Sequence, residues 1–198
     1  MSVTEHRMLP QTLSGALCTA EDLERLPADE RLELIRGELC PMPNNSAEHG
    51  NKTARLSGPI IVFVEEHELG ECFAAETRFT IDVAPDTALG PDFAFISKAR
   101  LQDIPAKGYL KMAPDLVVET RSPNDTRTEY ALKIAQWLNA GTKIVWALDP
   151  ANQTITVHRK GVEPRMLRAE DTLDGEETLP GFMLSLKRMF REVAGPGV

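Results

Sequence analysis

Ala113-Pro114-Asp115-Leu116-Val117-Val118-Glu119-Thr120-Arg121-Ser122-Pro123-Asn124-Asp125 is the stretch around which the rest of the chain arranges itself. Leu116, Val117 and Val118 form an unbroken apolar run enriched in β-branched side chains, which reads as a short central strand buried on both faces of a sheet. Pro114 and Pro123 bracket it as punctuation. Glu119 follows the run directly. An ionisable group in that position loses hydration, and the loss is costly unless a cation, a metal ion or several hydrogen bonds replace the water. Upstream, Pro91-Asp92 leads into a second apolar strand, Phe93-Ala94-Phe95-Ile96. If the two strands are neighbours, the carboxylates of Asp92 and Glu119 come together. Oxygen ligands of that kind, with water completing the shell, are what Mg²⁺ requires.

Outward from this pair, the chain alternates helix and strand signals. Thr19 opens a helix with Glu21 and Asp22 in its first turn, and Pro27 ends it. Residues 31–35 and 38–42 flank Arg36-Gly37, a tight hairpin in which Gly supplies the positive φ. Glu33 and Glu38 either face the site or belong to the hairpin's polar face. Ser46 or Asn45 caps a long helix through Glu66, and Gly58-Pro59 predicts a kink in it. His49, in the first turn, either meets a phosphate or a metal-bound water, or is a surface imidazole beside the cap. Strands are expected at 72–75, 77–83 and 92–96, with Glu76 between the first two as a third candidate carboxylate. From Ser97 to Lys111, Pro105 and Gly108 argue against a long helix.

Beyond the central strand, Thr126 and Glu129 have capping-box spacing and Gly141 suits the residue after a helix end, which predicts a helix between them. Tyr130, Lys133 and Trp137 share one side of it. Lys133 therefore either points at the site or snorkels, its stem lying over the aromatics. Residues 143–150 read as another buried strand, 153–158 as an edge-side strand pairing with it or its neighbour, and 179–182 as the approach to a short closing helix that ends at Phe190.

Composition narrows the classes. With 42% hydrophobic and 26% charged residues, 198 residues suit one globular domain, and no Pro/Gly/Ser-rich or charge-rich linker divides them. The expected division is an N-terminal extension over 1–18, a domain over 19–190 and a tail over 191–198. The longest apolar run, Pro59 to Val64, is far short of the roughly 20 residues a spanning helix needs. Met1 to Gln11 carries no apolar block of the signal-peptide kind. A cytoplasmic protein with no membrane partner is expected, and the odd, widely spaced Cys18, Cys40 and Cys72 fit reduced thiols. A net charge of −8 argues against a general nucleic-acid coat protein. It permits a local basic rim, for which Lys98, Arg100, Lys107, Lys111, Arg121 and Arg127 are the candidates.

Pro91-Asp92 followed by Glu119-Thr120-Arg121 resembles the PD-(D/E)xK nuclease signature. The wider text is more specific: Glu33-Leu34-Ile35-Arg36-Gly37-Glu38-Leu39, Ser46-Ala47-Glu48-His49, Pro91-Asp92-Phe93-Ala94-Phe95, Ala113 to Glu119 with Ser122-Pro123, then Lys133, Gly141 and Trp146-Ala147-Leu148-Asp149-Pro150. In that order it resembles the Uma family of bacterial proteins classed as "putative restriction endonucleases", from about Thr19 to about Phe190. The resemblance implies an α/β fold with a restriction-endonuclease-like core: a mixed sheet flanked by helices, with an N-terminal helix and β-hairpin as elaborations. It also implies metal-dependent hydrolysis of phosphodiester bonds.

The resulting expectation is an endonuclease acting on nucleic acid, with DNA as substrate. Asp92, Glu119 and the Thr120 carbonyl would hold Mg²⁺ or Mn²⁺. Arg121 occupies the slot where the signature has Lys, and it cannot serve as a base because it does not deprotonate. Lys133 is expected to take the place beside the metal and the attacking water, and Arg121 to grip a substrate phosphate. His49, Glu76 and Glu38 are secondary candidates. A twofold homodimer is expected from the two-strand logic of duplex cleavage. Two other classes remain: a non-catalytic nucleic-acid-binding or interaction module on a degenerate nuclease scaffold, and a carboxylate-pair hydrolase acting on sugars. The presence of both acids favours an enzyme over the former, and the apolar strands with a nearby Lys favour phosphate over the latter.

Overall fold

The computed structural model describes residues 17–191 apart from 28, 29, 43, 44, 76 and 106, so Glu76 lies outside the described residues, as do 1–16 and 192–198 of the terminal segments. In chain order the elements are α1 (Ala20–Glu24), β1 (Leu32–Ile35), β2 (Glu38–Pro41), α2 (Ala47–Glu66), β3 (Gly70–Ala74), β4 (Phe79–Asp82), β5 (Thr87–Leu89) and β6 (Phe93–Ser97). A 3₁₀ segment, Lys98–Asp103, precedes β7 (Leu116–Thr120), α3 (Arg127–Ala140), β8 (Ile144–Asp149), β9 (Thr154–Arg159), β10 (Val162–Leu167), β11 (Thr172–Asp174), β12 (Met183–Ser185) and α4 (Leu186–Phe190).

The larger sheet has the order β10-β9-β8-β7-β6-β3, with β7 and β8 parallel and every other pair antiparallel. β7 sits inside it, as its composition requires, and all five of its residues are buried. Leu116, Val117 and Val118 are each fully shielded, and burying one such side chain contributes about 1.5–3 kcal/mol over leaving it exposed. Because a strand alternates faces, Leu116 and Val118 join Phe93, Phe95, Trp146 and the α2 residues Leu56 and Ile60 in one core. Val117 joins Ala94, Ile96, Val145 and the α3 residues Ile134 and Trp137 in a second. The sheet is thus a middle layer, with α2 on one face and α3 on the other.

Local chemistry sets the ends of both helices. The Ser46 hydroxyl accepts from the His49 amide at the start of α2, which continues to Glu66 with Pro59 inside it. Thr126 and Glu129 exchange hydrogen bonds in a full capping box at the start of α3, and Gly141 takes the left-handed conformation after its end, at φ +108°. A smaller antiparallel sheet, β2-β1-β5-β4, stands beside the first. Its hairpin turns at Arg36 and Gly37, with Gly37 at positive φ as the sequence predicts and Arg36 at positive φ as well.

Five strands depart from the sequence reading, among them β10, β11 and β12, which it does not contain. β5 was not anticipated; its three residues are too few to show alternation, yet it pairs with both β1 and β4. β9 is not at the edge, because β10 pairs outside it with a register break between Val162 and Arg165. Pro164 lies within that break, as expected of a residue that cannot donate to a ladder.

Candidate active site

β6 and β7 run antiparallel with Phe93 opposite Val118 and Ala94 opposite Val117. Continuing that register by one residue sets Asp92 opposite Glu119, at the start of one strand and the end of the other. Alternation gives Glu119 the face that α3 covers and Thr120 the α2 face, while Asp92, just outside β6, turns its carboxylate to the Thr120 amide and to His49 of α2.

Each carboxylate has a defined set of partners. One oxygen of Glu119, Oε1, accepts from Trp137 Nε1 at 2.7 Å, and the other faces Lys133 Nζ at 3.2 Å. Lys133 also lies 3.0 Å from Glu33 Oε1 and donates to the Gly90 carbonyl at 3.2 Å. Glu33 Oε1 in turn accepts from the Gly90 amide at 2.9 Å. Asp92 Oδ2 accepts from the Thr120 amide at 2.7 Å and lies 3.3 Å from His49 Nε2. That imidazole N–H donates to the Thr120 carbonyl at 2.9 Å. Thr53, one turn along α2, shares a 2.7 Å hydrogen bond with the Thr120 hydroxyl, and Tyr130 donates to the Glu119 carbonyl at 2.7 Å. Helices on both faces therefore fix the end of β7, α3 through side chains on Glu119 and α2 through the Thr120 backbone and hydroxyl.

A model of the family described as "Putative restriction endonuclease", Uma2, matches residues 20–187. The chain belongs to the Uma2 family. Its fold is similar to that of a crystal structure described as a putative nuclease belonging to DUF820 from Anabaena variabilis ATCC 29413. The TM-score is 0.75 and the identity 24%, over 87% of this chain and 97% of that one. The mixed sheet with flanking helices is thus the fold of that structure. No curated protein matches the chain.

The acidic pair of this Uma2 chain is electrostatically uneven. Burial works against the ionised form of Glu119 and pushes its pKa up to about 8; Asp92 and Glu33 add to the rise while Lys133 and Trp137 oppose it. Burial works against the charge on Lys133 too, but Glu119, Glu33 and Asp92 outweigh it and hold its pKa above the ordinary lysine range. For His49, burial is likewise outweighed by Asp92 and the Thr120 carbonyl, and its pKa is raised. The site is therefore a charged lysine among carboxylates, of which Glu119 gives up its proton reluctantly.

The other expected residues fall elsewhere. The Arg121 guanidinium forms an ion pair with Asp149 at 3.1 Å rather than joining Lys133. Glu38 is exposed on β2, across the hairpin from Ile35. Glu33, which the sequence left as either a site acid or a hairpin surface residue, is the hairpin acid that reaches the cluster, and it is only 8% exposed. Its signal was an acid set among Leu32, Leu34 and Ile35, in a strand with no other polar residue. The sequence shows Trp137 as part of a helical stripe, and its indole N–H, which donates to Glu119, has no sequence signal of its own.

Among the described residues, no three His, Cys, Asp or Glu side chains are arranged to hold a metal. The set at hand is of another kind: two carboxylates and one backbone carbonyl, all hard oxygen donors. His49 Nε2 already sits between Asp92 Oδ2 and the Thr120 carbonyl. Those two oxygens thus converge on a single electropositive group, and a hard divalent cation fits that chemistry.

Proposed function

We propose that the protein is a metal-dependent endonuclease that hydrolyses phosphodiester bonds of DNA at the Asp92–Glu119 pair. The observation that carries this reading is the register of β6 and β7, which sets the two acids opposite each other with Lys133 3.2 Å from Glu119. Membership of the Uma2 family supports the nuclease class. Asp92, Glu119 and the Thr120 carbonyl would hold Mg²⁺ or Mn²⁺, which when bound polarises a phosphate and lowers the pKa of an attacking water.

The protein's own groups supply the rest. Lys133 is anchored by Glu33 and Gly90 and keeps its proton, so it acts by charge, stabilising the phosphoryl oxygens and orienting water, rather than as a base. Glu33 holds that ammonium in place. Trp137 and Tyr130 fix the Glu119 side chain and backbone, which limits the reorganisation needed when substrate arrives. His49 holds the Thr120 carbonyl from the opposite helix, and the Asp92 carboxylate holds the Thr120 amide.

Supercoiled plasmid incubated with the full chain tests this directly. Nicking in millimolar Mg²⁺ or Mn²⁺ that stops in chelator and in Asp92→Asn is expected, and cleavage that is undiminished in chelator or in the variant would overturn the reading. The same ions should raise the melting temperature of the wild-type protein, since a ligand of the native state stabilises it. Asp92→Asn should lose most of that shift, and equal shifts in both proteins would remove Asp92 from the ion's ligands.

Cutting both strands of a duplex favours a twofold homodimer, and a cytoplasmic setting belongs to the same reading. Light scattering at tens of micromolar should give twice the chain mass of 21.9 kDa. A monomer mass with intact duplex cleavage would remove the dimer from the mechanism. No helix among the described residues is long and apolar enough to cross a membrane.

A further inference from the structure

Arg121 points away from Lys133 toward a part of the surface that the catalytic reading leaves unused. Glu119 is in register with Ala147, Ala147 with Thr156, and Thr156 with Met166. One face of the sheet therefore runs unbroken from the buried carboxylate to the edge strand. Three inter-strand steps of roughly 4.8 Å make this path about 14 Å long. The next row starts at Arg121 and passes through Asp149 and Thr154, which are paired in register, toward Arg168 just beyond β10. Between α3 and this face lies a groove of about 700 Å³.

The charge of the groove differs from that of the chain. Arg121, Arg127 and Arg168 line it, and Asp149 is the single acid among its lining residues. Asp149 is already engaged: against the effect of burial, hydrogen bonds from Asn152 and the Arg121 guanidinium hold its pKa low. Arg127 and Arg168 are exposed, and among the described residues neither forms an ion pair. The lining thus carries an excess of positive charge on a protein of net charge −8. The hydroxyls of Thr154 and Thr156 stand along the same floor. Guanidinium forks and hydroxyls are the groups that contact phosphate oxygens without reading sequence.

We propose that this groove holds the sugar–phosphate backbone of the DNA strand that enters the Asp92–Glu119 site, with Arg127 and Arg168 as its phosphate contacts and Arg121 at the junction of groove and site. The proposal rests on the nuclease reading. An acidic protein segment would also answer the charge, but the groove adjoins the site through Tyr130, which lines it and donates to the Glu119 carbonyl, and beside a nuclease site a phosphodiester chain is the ligand with reason to continue.

Fluorescence anisotropy with a labelled 20-nucleotide DNA, single-stranded and as the duplex, on the full chain in chelator and over a series of salt concentrations, tests the proposal. Arg127→Ala/Arg168→Ala should weaken binding about tenfold at low salt and reduce the slope of log Kd against log salt by about 1.4 on the single strand, the value for two phosphate contacts. Both residues are exposed, so the melting temperature should be unchanged. Arg25→Ala/Lys187→Ala removes the same charge elsewhere and should bind as the wild type does. Wild-type affinity and slope in the groove variant would overturn the proposal while leaving the nuclease reading intact, and so would equal weakening in the control pair. If the wild-type protein binds neither form of DNA, the nuclease reading fails and the groove proposal with it.

Discussion

Lys133→Ala should lower the single-turnover cleavage rate at saturating DNA by about 100-fold or more, the range for removing one electrostatic group from a catalytic site. It should also destabilise the fold. In the wild type Nζ is shared by Glu33 at 3.0 Å, Glu119 at 3.2 Å and the Gly90 carbonyl at 3.2 Å. Removing it leaves two shielded carboxylates facing each other, and breaking a buried ion pair typically costs about 3–5 kcal/mol. The lower end is expected, because the Lys133 side chain is 22% exposed and because Glu119 can take up a proton. A neutral Glu119 needs no cation, so the deficit should be smaller at pH 6 than at pH 9. Denaturant melts of variant and parent at the two pH values give that comparison. Arg121→Ala should behave otherwise, weakening DNA binding with little effect on the saturated rate, since its guanidinium is held by Asp149. An unchanged rate in Lys133→Ala together with a lost rate in Arg121→Ala would exchange the two roles.

Local signals in the sequence make much of this site legible. The apolar run before Glu119 located β7 because a strand buried on both faces has no alternation to hide it. Thr126, Glu129 and Gly141 fixed the ends of α3 because capping depends on residues a few positions apart. Those ends in turn placed Lys133 and Trp137 on the side of the helix that meets the sheet. Glu33 could not be chosen over Glu38 in the same way, since the choice depends on which face of the hairpin meets Gly90, and the contact spans more than fifty residues of sequence. Arg121 shows the same limit. The direction of its guanidinium is decided by Asp149 on the neighbouring strand, a contact that spans 28 residues of sequence. β10 was hidden because an edge strand needs no apolar pattern and this one contains Pro164 and charged residues on either side of it.

Glu119→Gln should separate function from stability. The substitution removes a charged oxygen donor from the proposed metal set, and cleavage should fall by about 100-fold or more. In chelator, however, the variant should outlast the parent at alkaline pH. Folding raises the Glu119 pKa from its ordinary value of 4.5 to about 8, so the folded protein holds this proton more tightly than the unfolded chain. The stability from that proton is fully present below about 4.5. It declines as pH rises through about 8 and is level above that. Glutamine has no proton to lose and escapes the decline, while its carbonyl oxygen can still accept from Trp137 Nε1. Lys133 retains Glu33 and the Gly90 carbonyl, although an amide N–H₂ turned toward it offsets part of the gain. The net advantage at pH 8.5 should be on the order of 2 kcal/mol, or about 5 °C in melting temperature for a chain of this size, and it should shrink toward pH 5. Mg²⁺ should reverse the order by stabilising the parent alone. A variant that melts below the parent at every pH would show that Glu119 serves the fold as the ionised partner of Lys133, and that the carboxylate is retained for that ion pair rather than for an incoming metal.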